Sequence, residues 1–513
     1  MKKLTTMLLV LTMLLSSAGA FAEAGEHVSF TVCTTSTNEP LDYTSDGLYK
    51  YLGEKFNFDF EVWPVAGESQ DEKLRIWVNS FTMPTTMSWY TFNYFEYIDY
   101  IDQGLLAPLP EGWEEKYPNM RAMMEKTGLM EYITVNDEVY CVPHATFHLF
   151  MNFEPVINHG SIFYRKDWVE KLGLEPFGAL ITESQFKEYL KLAIENDLAG
   201  TGNTLGLSAA PANVNNMLMA FAGVNYNGYH ADEEGFSWGP TEEGIIEAIQ
   251  NARTWYQDGL LNPDYYLHTN AEASSLFTSG IAAATYDSGV VGGLATKSIT
   301  FESATGLSAD ESIGLTALKG DDGIFYGYET TNYWSASVFN PSIDEVTMDR
   351  ILSLIDFSCT KEGQYIIQLG VPDVDWKFND EGKAELLIEL KEDGTYPTMY
   401  EMHPSYRVFR MQGILADDFN FANPRMNQNH IDMVTAIYTA KAAQGNVIIP
   451  YSYDYAFFSS DNKANYSVGI SGEITKLIIS TDDIAAAWNQ FIEEYRNMWE
   501  PLLDELNAAY YPK

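Results

Sequence analysis

From His27 the chain alternates. Val28, Phe30 and Val32 are apolar and their neighbours small or polar, the two-residue period of a strand with one buried face. Leu48, Leu52 and Phe56 then recur every four residues, as on one face of a helix, before Phe58, Phe60 and Val62 restore the alternation. Strand, helix and strand in so short a span read as a βαβ unit, hence a parallel sheet covered by helices. A second helix is expected over 71–79 and a short strand in "VYCVP" (139–143), ended by its proline.

The middle of the chain follows the helical period. Thr182 is expected to cap a helix buried through Phe186, Leu190 and Ile194, and Thr241 one buried through Ile245, Ile249 and Trp255 and stopped at Gly259. Both starts place acids in the first turn, where the helix dipole favours them. "IDEVTMDRILSLIDFSCTKEGQYIIQLG" reads as two helices joined near Thr360. A final helix is expected after Thr481, with Ile484, Trp488, Phe491, Tyr495, Met498 and Leu502 along one stripe. Residues 373–450 carry no pattern that places them. Strands and helices alternating over such a length mean an α/β protein of more than one lobe.

The first residues add a compartment. Lys2 and Lys3 precede an apolar run, and Ala20-Phe21-Ala22 supplies a small-residue cleavage site. Residues 1–22 therefore read as a secretory signal peptide, too short in its apolar part to span a bilayer. No cysteine stands at the boundary to carry a lipid, so the mature chain is expected to be secreted or extracytoplasmic. Charge narrows the partners. With 72 acidic against 30 basic residues the chain carries −42, which repels nucleic acid and anionic membranes and favours a neutral ligand. Cys33, Cys141 and Cys359 cannot all pair internally, and their wide spacing matches no metal site, so buried free thiols are expected.

Several local signatures resemble one family in its own order. "YIDYIDQGLLAPLP" (97–110), "VYCVP", "FYRKDWVEKLGL" (163–174), "WYQDGLLNPDY" (255–265), "LFTSGIAAAT" (276–285) and "TKEGQYIIQLG" (360–370) are similar to motifs of the extracellular sugar-type solute-binding proteins of ABC importers. The last helix resembles their terminal helix. The resemblance implies a two-lobed, periplasmic-binding-protein-like (Venus-flytrap) fold with discontinuous lobes that close on ligand. By analogy one lobe takes 27–150 plus about 283–335, and the other 155–280 plus about 340–513. It also implies a monomer that needs no cofactor, with the importer's permease as its partner. The chain departs from the family at "NSFTMPTTM" (79–87), which keeps only the proline of a Ser-Gly-Asp-x-Pro-Asp motif. A second departure is "AGTGNTLGLS" (199–208), which lacks the carboxylates of the calcium loop some relatives carry, so no metal is expected there.

Candidate contacts follow from what a sugar offers: a C–H face that suits the negative face of an aromatic ring, and edge hydroxyls that want amides and carboxylates. "MSWYTFNYFEYIDY" (87–100) holds seven aromatic residues in fourteen. Phe92, Phe95 and Ile98 are expected to be helix core, while Trp89 and Tyr90 precede the helix and are candidates for ligand. By family position the candidates also include Asn38 and Glu39 after the first strand, His144, Tyr164, Trp238, Tyr286 and Asp287, Tyr333 and Trp334, and Arg407. Bland readings compete: Trp238 as packing, His144 as a hinge or surface histidine, Arg165 as structural. His144 and His148 lack the glutamate of a metalloprotease helix, having Ala145 instead. Capture of an oligosaccharide for an importer leads. A secreted glycosidase, which needs two carboxylates at catalytic separation, and the same scaffold carrying a peptide or other small solute remain the alternatives.

Overall fold

In the computed structural model the described residues are 25–34, 42–65, 69–89, 92–145, 149–150, 157–331, 333–391, 395–412, 415–416 and 418–512. Ten strands build two five-stranded sheets: β1 (Val28–Cys33), β2 (Phe58–Val62), β3 (Thr86–Trp89), β4 (Cys141–Ala145), β5 (Gly160–Arg165), β6 (Leu180–Thr182), β7 (Leu205–Ser208), β8 (Ala282–Ser288), β9 (Ile313–Lys319) and β10 (Tyr333–Phe339). The chain divides into two compact units, one of Met1–Phe92, Tyr100–Phe147 and Tyr333–Ala416, the other of Asn93–Asp99, His148–Asn332 and Asp417–Lys513.

The first unit holds the sheet β2-β1-β3-β10-β4. β1 runs parallel to β2 and β3, as the opening βαβ pattern requires, and β10 runs antiparallel between β3 and β4. The helix Gly47–Phe56 buries Leu48, Leu52 and Phe56, and Asp46 caps it by accepting from the Leu48 and Tyr49 amides at 2.8 and 3.2 Å. Helices Glu345–Ser358 and Lys361–Leu369 meet at Thr360, which caps the second. The second unit holds β6-β9-β5-β8-β7, with β5 antiparallel to both neighbours. Around it the helix Glu183–Glu195 starts in a full capping box at Thr182 and packs Phe186 and Leu190 into a core shared with Trp238, Trp255 and Trp488.

Four expectations are corrected. β8 and β9 ladder onto β5 (Ala284 opposite Tyr164, Ile313 opposite Arg165), so 283–331 belongs to the second unit and most of 340–412 to the first, the reverse of the expected assignment. Thr241 ends a tight turn, and its helix starts at Ile245 after Gly244, whose φ of 91° no longer fits a helical run. Asp483, not Thr481, caps the terminal region, which is two helices meeting at Tyr495, Ile484–Glu494 and Arg496–Tyr510. In the aromatic run the helix is Tyr94–Asp102; Tyr97, Tyr100 and Ile101 are its buried stripe, while Phe95 is exposed. The three cysteines are buried and none forms a disulfide. Among the described residues no helix is long and apolar enough to cross a membrane.

Candidate functional site

In the first unit, β1, β3 and β4 run the same way, so their carboxyl ends gather at one edge of the sheet, and β10 begins there. Open α/β sheets bind ligands at this edge. The ladder between β10 and β4 slips between Tyr333, opposite Ala145, and Ser335, opposite His144, which leaves Trp334 as the extra residue of a bulge. A bulge re-aims its side chain, and Trp334 is 41% exposed although it sits in a central strand. Its indole packs on the His144 imidazole, ring centres 5.1 Å apart. His144 is buried, its Nδ1 and Nε2 each 2.8 Å from a serine hydroxyl, Ser335 and Ser337 respectively. Burial pushes its pKa down to about 3, so the ring is neutral.

Half-buried Tyr333 meets Phe92 edge to face at 6.2 Å, and Phe92 packs at 5.1 Å on Trp89. Trp89 itself is 1% exposed, wedged between Phe92 and Tyr100. It therefore supports the edge from beneath and presents no face to a ligand. Arg407 lies over the Tyr400 ring at 4.7 Å, and its carbonyl accepts from Thr34 at the end of β1. Asn38, Glu39 and Tyr90 lie outside the described residues.

In the second unit the comparable edge is formed by the carboxyl ends of β7, β8 and β9 and the start of β5. The hydroxyl end of Tyr286 lies over Gly160, where a Cβ would fall 1.9 Å from the phenol oxygen. That oxygen has no hydrogen-bond partner among the described residues, and burial raises its pKa to about 12. It lines a cavity of about 40 Å³ with Asn158, Asn216, Tyr328 and Lys441, room for a water molecule or a protruding hydroxyl. The Lys441 amine donates to the Gly160 carbonyl at 2.7 Å and the Asn158 carbonyl at 3.2 Å. With no carboxylate beside it, burial lowers its pKa to about 7.

The remaining candidates are occupied. Asp287 is held by Lys297 at 2.6 Å, which also donates to Ser274. Tyr164 is core, its ring against Phe177 and over Gly314. Trp238 is wholly buried, stacked on Trp499 at 4.9 Å with its indole N–H donating to the Tyr466 hydroxyl. Neither offers a ligand any surface. Arg165 grips Asp167 through two hydrogen bonds of 2.7 and 2.6 Å, the structural role. Asp197 spends both carboxylate oxygens on its own loop, accepting from the Gly202 amide and the Thr204 hydroxyl at 2.8 Å each. Among the described residues no three His, Cys, Asp or Glu side chains are grouped to hold a metal. The reading of the sequence missed Phe92, Ser335, Ser337, Tyr328 and Lys441. Phe92 stood out only as expected helix core, and Ser335 and Ser337 follow Trp334 at alternate positions of its strand.

No family model matches the sequence, and no curated protein does either. Solved structures do match in fold. The alginate-binding protein AlgQ2, without calcium ion, aligns with a TM-score of 0.66 at 14% identity, over 95% of this chain and 98% of its own. The S. pneumoniae ABC-transporter substrate-binding protein FusA, an EF-hand mutant in complex with fructo-nystose, gives 0.66 at 14%, over 94% and 99%. The chain has the fold of these binding proteins. The N-glycan transport solute-binding protein NgtS of Streptococcus pneumoniae shares it too, at a TM-score of 0.60 and 12% identity over 93% and 97%. All three are matched along nearly the whole of both chains, so each of the two units is included in the likeness.

Proposed function

We propose that this protein is an extracytoplasmic solute-binding protein that captures a neutral oligosaccharide and delivers it to the permease of an ABC importer, acting as a monomer without catalysis or cofactor. The observation that carries the reading is Trp334. A large aromatic face is kept half-exposed on a bulge at the ligand-binding edge of a sheet, in a fold whose solved examples bind alginate, fructo-oligosaccharide or N-glycan. A rigid indole suits the C–H face of a sugar ring. Tyr333 and Phe92 extend that surface, and the free Tyr286 phenol beside Lys441 supplies hydroxyl recognition in the second unit. The placement of the cations supports neutral cargo. Lys297 is neutralised by Asp287, Lys441 is spent on carbonyls, Arg407 lies on Tyr400, and His144 carries no charge.

The test is a thermal-shift screen of the mature protein against xylo-, manno-, malto-, fructo-, galacto- and cello-oligosaccharides, alginate oligomers and peptides. A ligand at one hundred times its dissociation constant adds about 2.7 kcal/mol, enough to move the melting point by degrees. A shift with one neutral series, the sugar recovered intact, supports the reading. Cleavage of the sugar would make the protein a hydrolase. A shift with alginate alone overturns neutral cargo, and a shift with peptides alone overturns carbohydrate.

A further inference from the structure

We infer that His144 is a positioning residue for the ligand platform: its imidazole, fastened at both nitrogens to Ser335 and Ser337, backs the Trp334 indole and fixes the plane the ring presents to a sugar. This rests on the carbohydrate-binding reading above. A tryptophan on a bulge has lost the packing that orients its neighbours in the ladder, and a half-exposed indole free to change rotamer would lose entropy on binding. Here the indole meets a second ring, the His144 imidazole, with ring centres 5.1 Å apart and the planes tilted by 54°. That second ring cannot turn. A neutral imidazole has one N–H and one lone pair in the ring plane, and each meets a serine hydroxyl at 2.8 Å that can donate or accept as required.

The two serines stand two residues apart on β10, both on the C-terminal side of Trp334 with Ser335 directly after it, so one strand carries both the platform and the anchors of its support. The neutrality of the imidazole matters as well. A charged ring behind the indole would draw on its π density, leaving less for the C–H groups of a sugar on the outer face. His144 is 2% exposed and its environment keeps it uncharged, so the outer face stays available.

The experiment uses xylotriose, mannotriose, maltotriose, 1-kestose and cellotriose as probes, with affinity measured by calorimetry well below the melting point. The variants are H144A, H144F, the double variant S335A/S337A, and W334F alone and combined with H144A. L52A serves as a control, a core change in the same unit on a helix that packs on β2 and on Glu345–Ser358. H144A and S335A/S337A are expected to weaken binding of the recognised probe about threefold to tenfold, the worth of an aromatic contact. H144F, which restores a ring but no anchors, recovers part of the loss. L52A lowers the melting point without changing affinity. The H144A effect shrinks in the W334F background, because the two residues act through one surface. If H144A and S335A/S337A lower the melting point yet bind as wild type does, or if H144A and W334F add independently, the positioning role is wrong while the carbohydrate reading stands. If the wild type binds none of these probes nor any sugar of the wider screen, the carbohydrate reading falls and takes this inference with it. Should H144A fail to fold, the serine pair decides.

Discussion

The two sheet edges solve a similar problem by opposite means. In the first unit an aromatic ring is pushed out by a bulge and backed by a neutral imidazole; in the second a phenol is drawn in over a glycine, beside a lysine whose proton is only weakly held. Each buried base shows what its surroundings permit. Lys441 has carbonyls but no carboxylate, and burial lowers its pKa to about 7. His403 in the first unit is buried too, which alone would lower its pKa, but hydrogen bonds to Asp375 and Asp46, both 2.9 Å, raise it to about 9. Burial sets the cost of a charge, and the partner decides whether the charge is kept.

The largest effect separates two tryptophans. W238A empties a filled core site and should cost about 3–5 kcal/mol in urea unfolding, with sugar affinity unchanged. W334A should cost under about 1 kcal/mol, since the ring is 41% exposed, yet weaken binding by about thirtyfold or more. If W334A binds normally, the platform is elsewhere.

Next comes H403A, which leaves Asp46 and Asp375 buried without their cation and should cost about 3–5 kcal/mol at pH 6. The sign with pH follows from the raised value. The stabilisation is complete below 6.5 and is lost as pH rises through about 9. H403A and wild type should therefore converge in urea midpoint between pH 6.5 and 9.5. A gap that stays constant would mean that the histidine is not charged.

Lys441 should behave the other way. Its folded pKa lies below the unfolded 10.5, so burial of the charge costs stability at low pH, and that cost is relieved between about 7 and 10.5. K441M should accordingly destabilise less at pH 6 than at pH 9.5, and with increasing pH the unfolding transitions of the two units should move in opposite directions. Parallel movement would break the comparison. The smallest effect is at the glycine. G160A forces the Tyr286 phenol aside and should cost about 1–3 kcal/mol, along with any hydroxyl recognition by that phenol.

Local pattern and residue type revealed the βαβ start, the cap at Thr182 and the helix pair at Thr360, because each depends on residues close together in the chain. Periodicity misjudged the aromatic run: Tyr97, Tyr100 and Ile101 and the assumed Phe92, Phe95 and Ile98 have the same helical spacing, and only the burying neighbours choose between them. Trp334 and Tyr286 stood out as aromatics at family positions. Trp238 and Tyr164 stood out in the same way and proved to be core.

What the sequence determined by itself is therefore local and compositional: the α/β alternation, the cap at Thr182, the surplus of acid that favours a neutral ligand, and the order of motifs that the shared fold explains. What the tertiary structure decided is which side of each ring faces out. A bulge in the β10–β4 ladder, a serine pair behind a histidine and a glycine beneath a tyrosine join residues up to 193 positions apart, and no period along the chain encodes a contact across it.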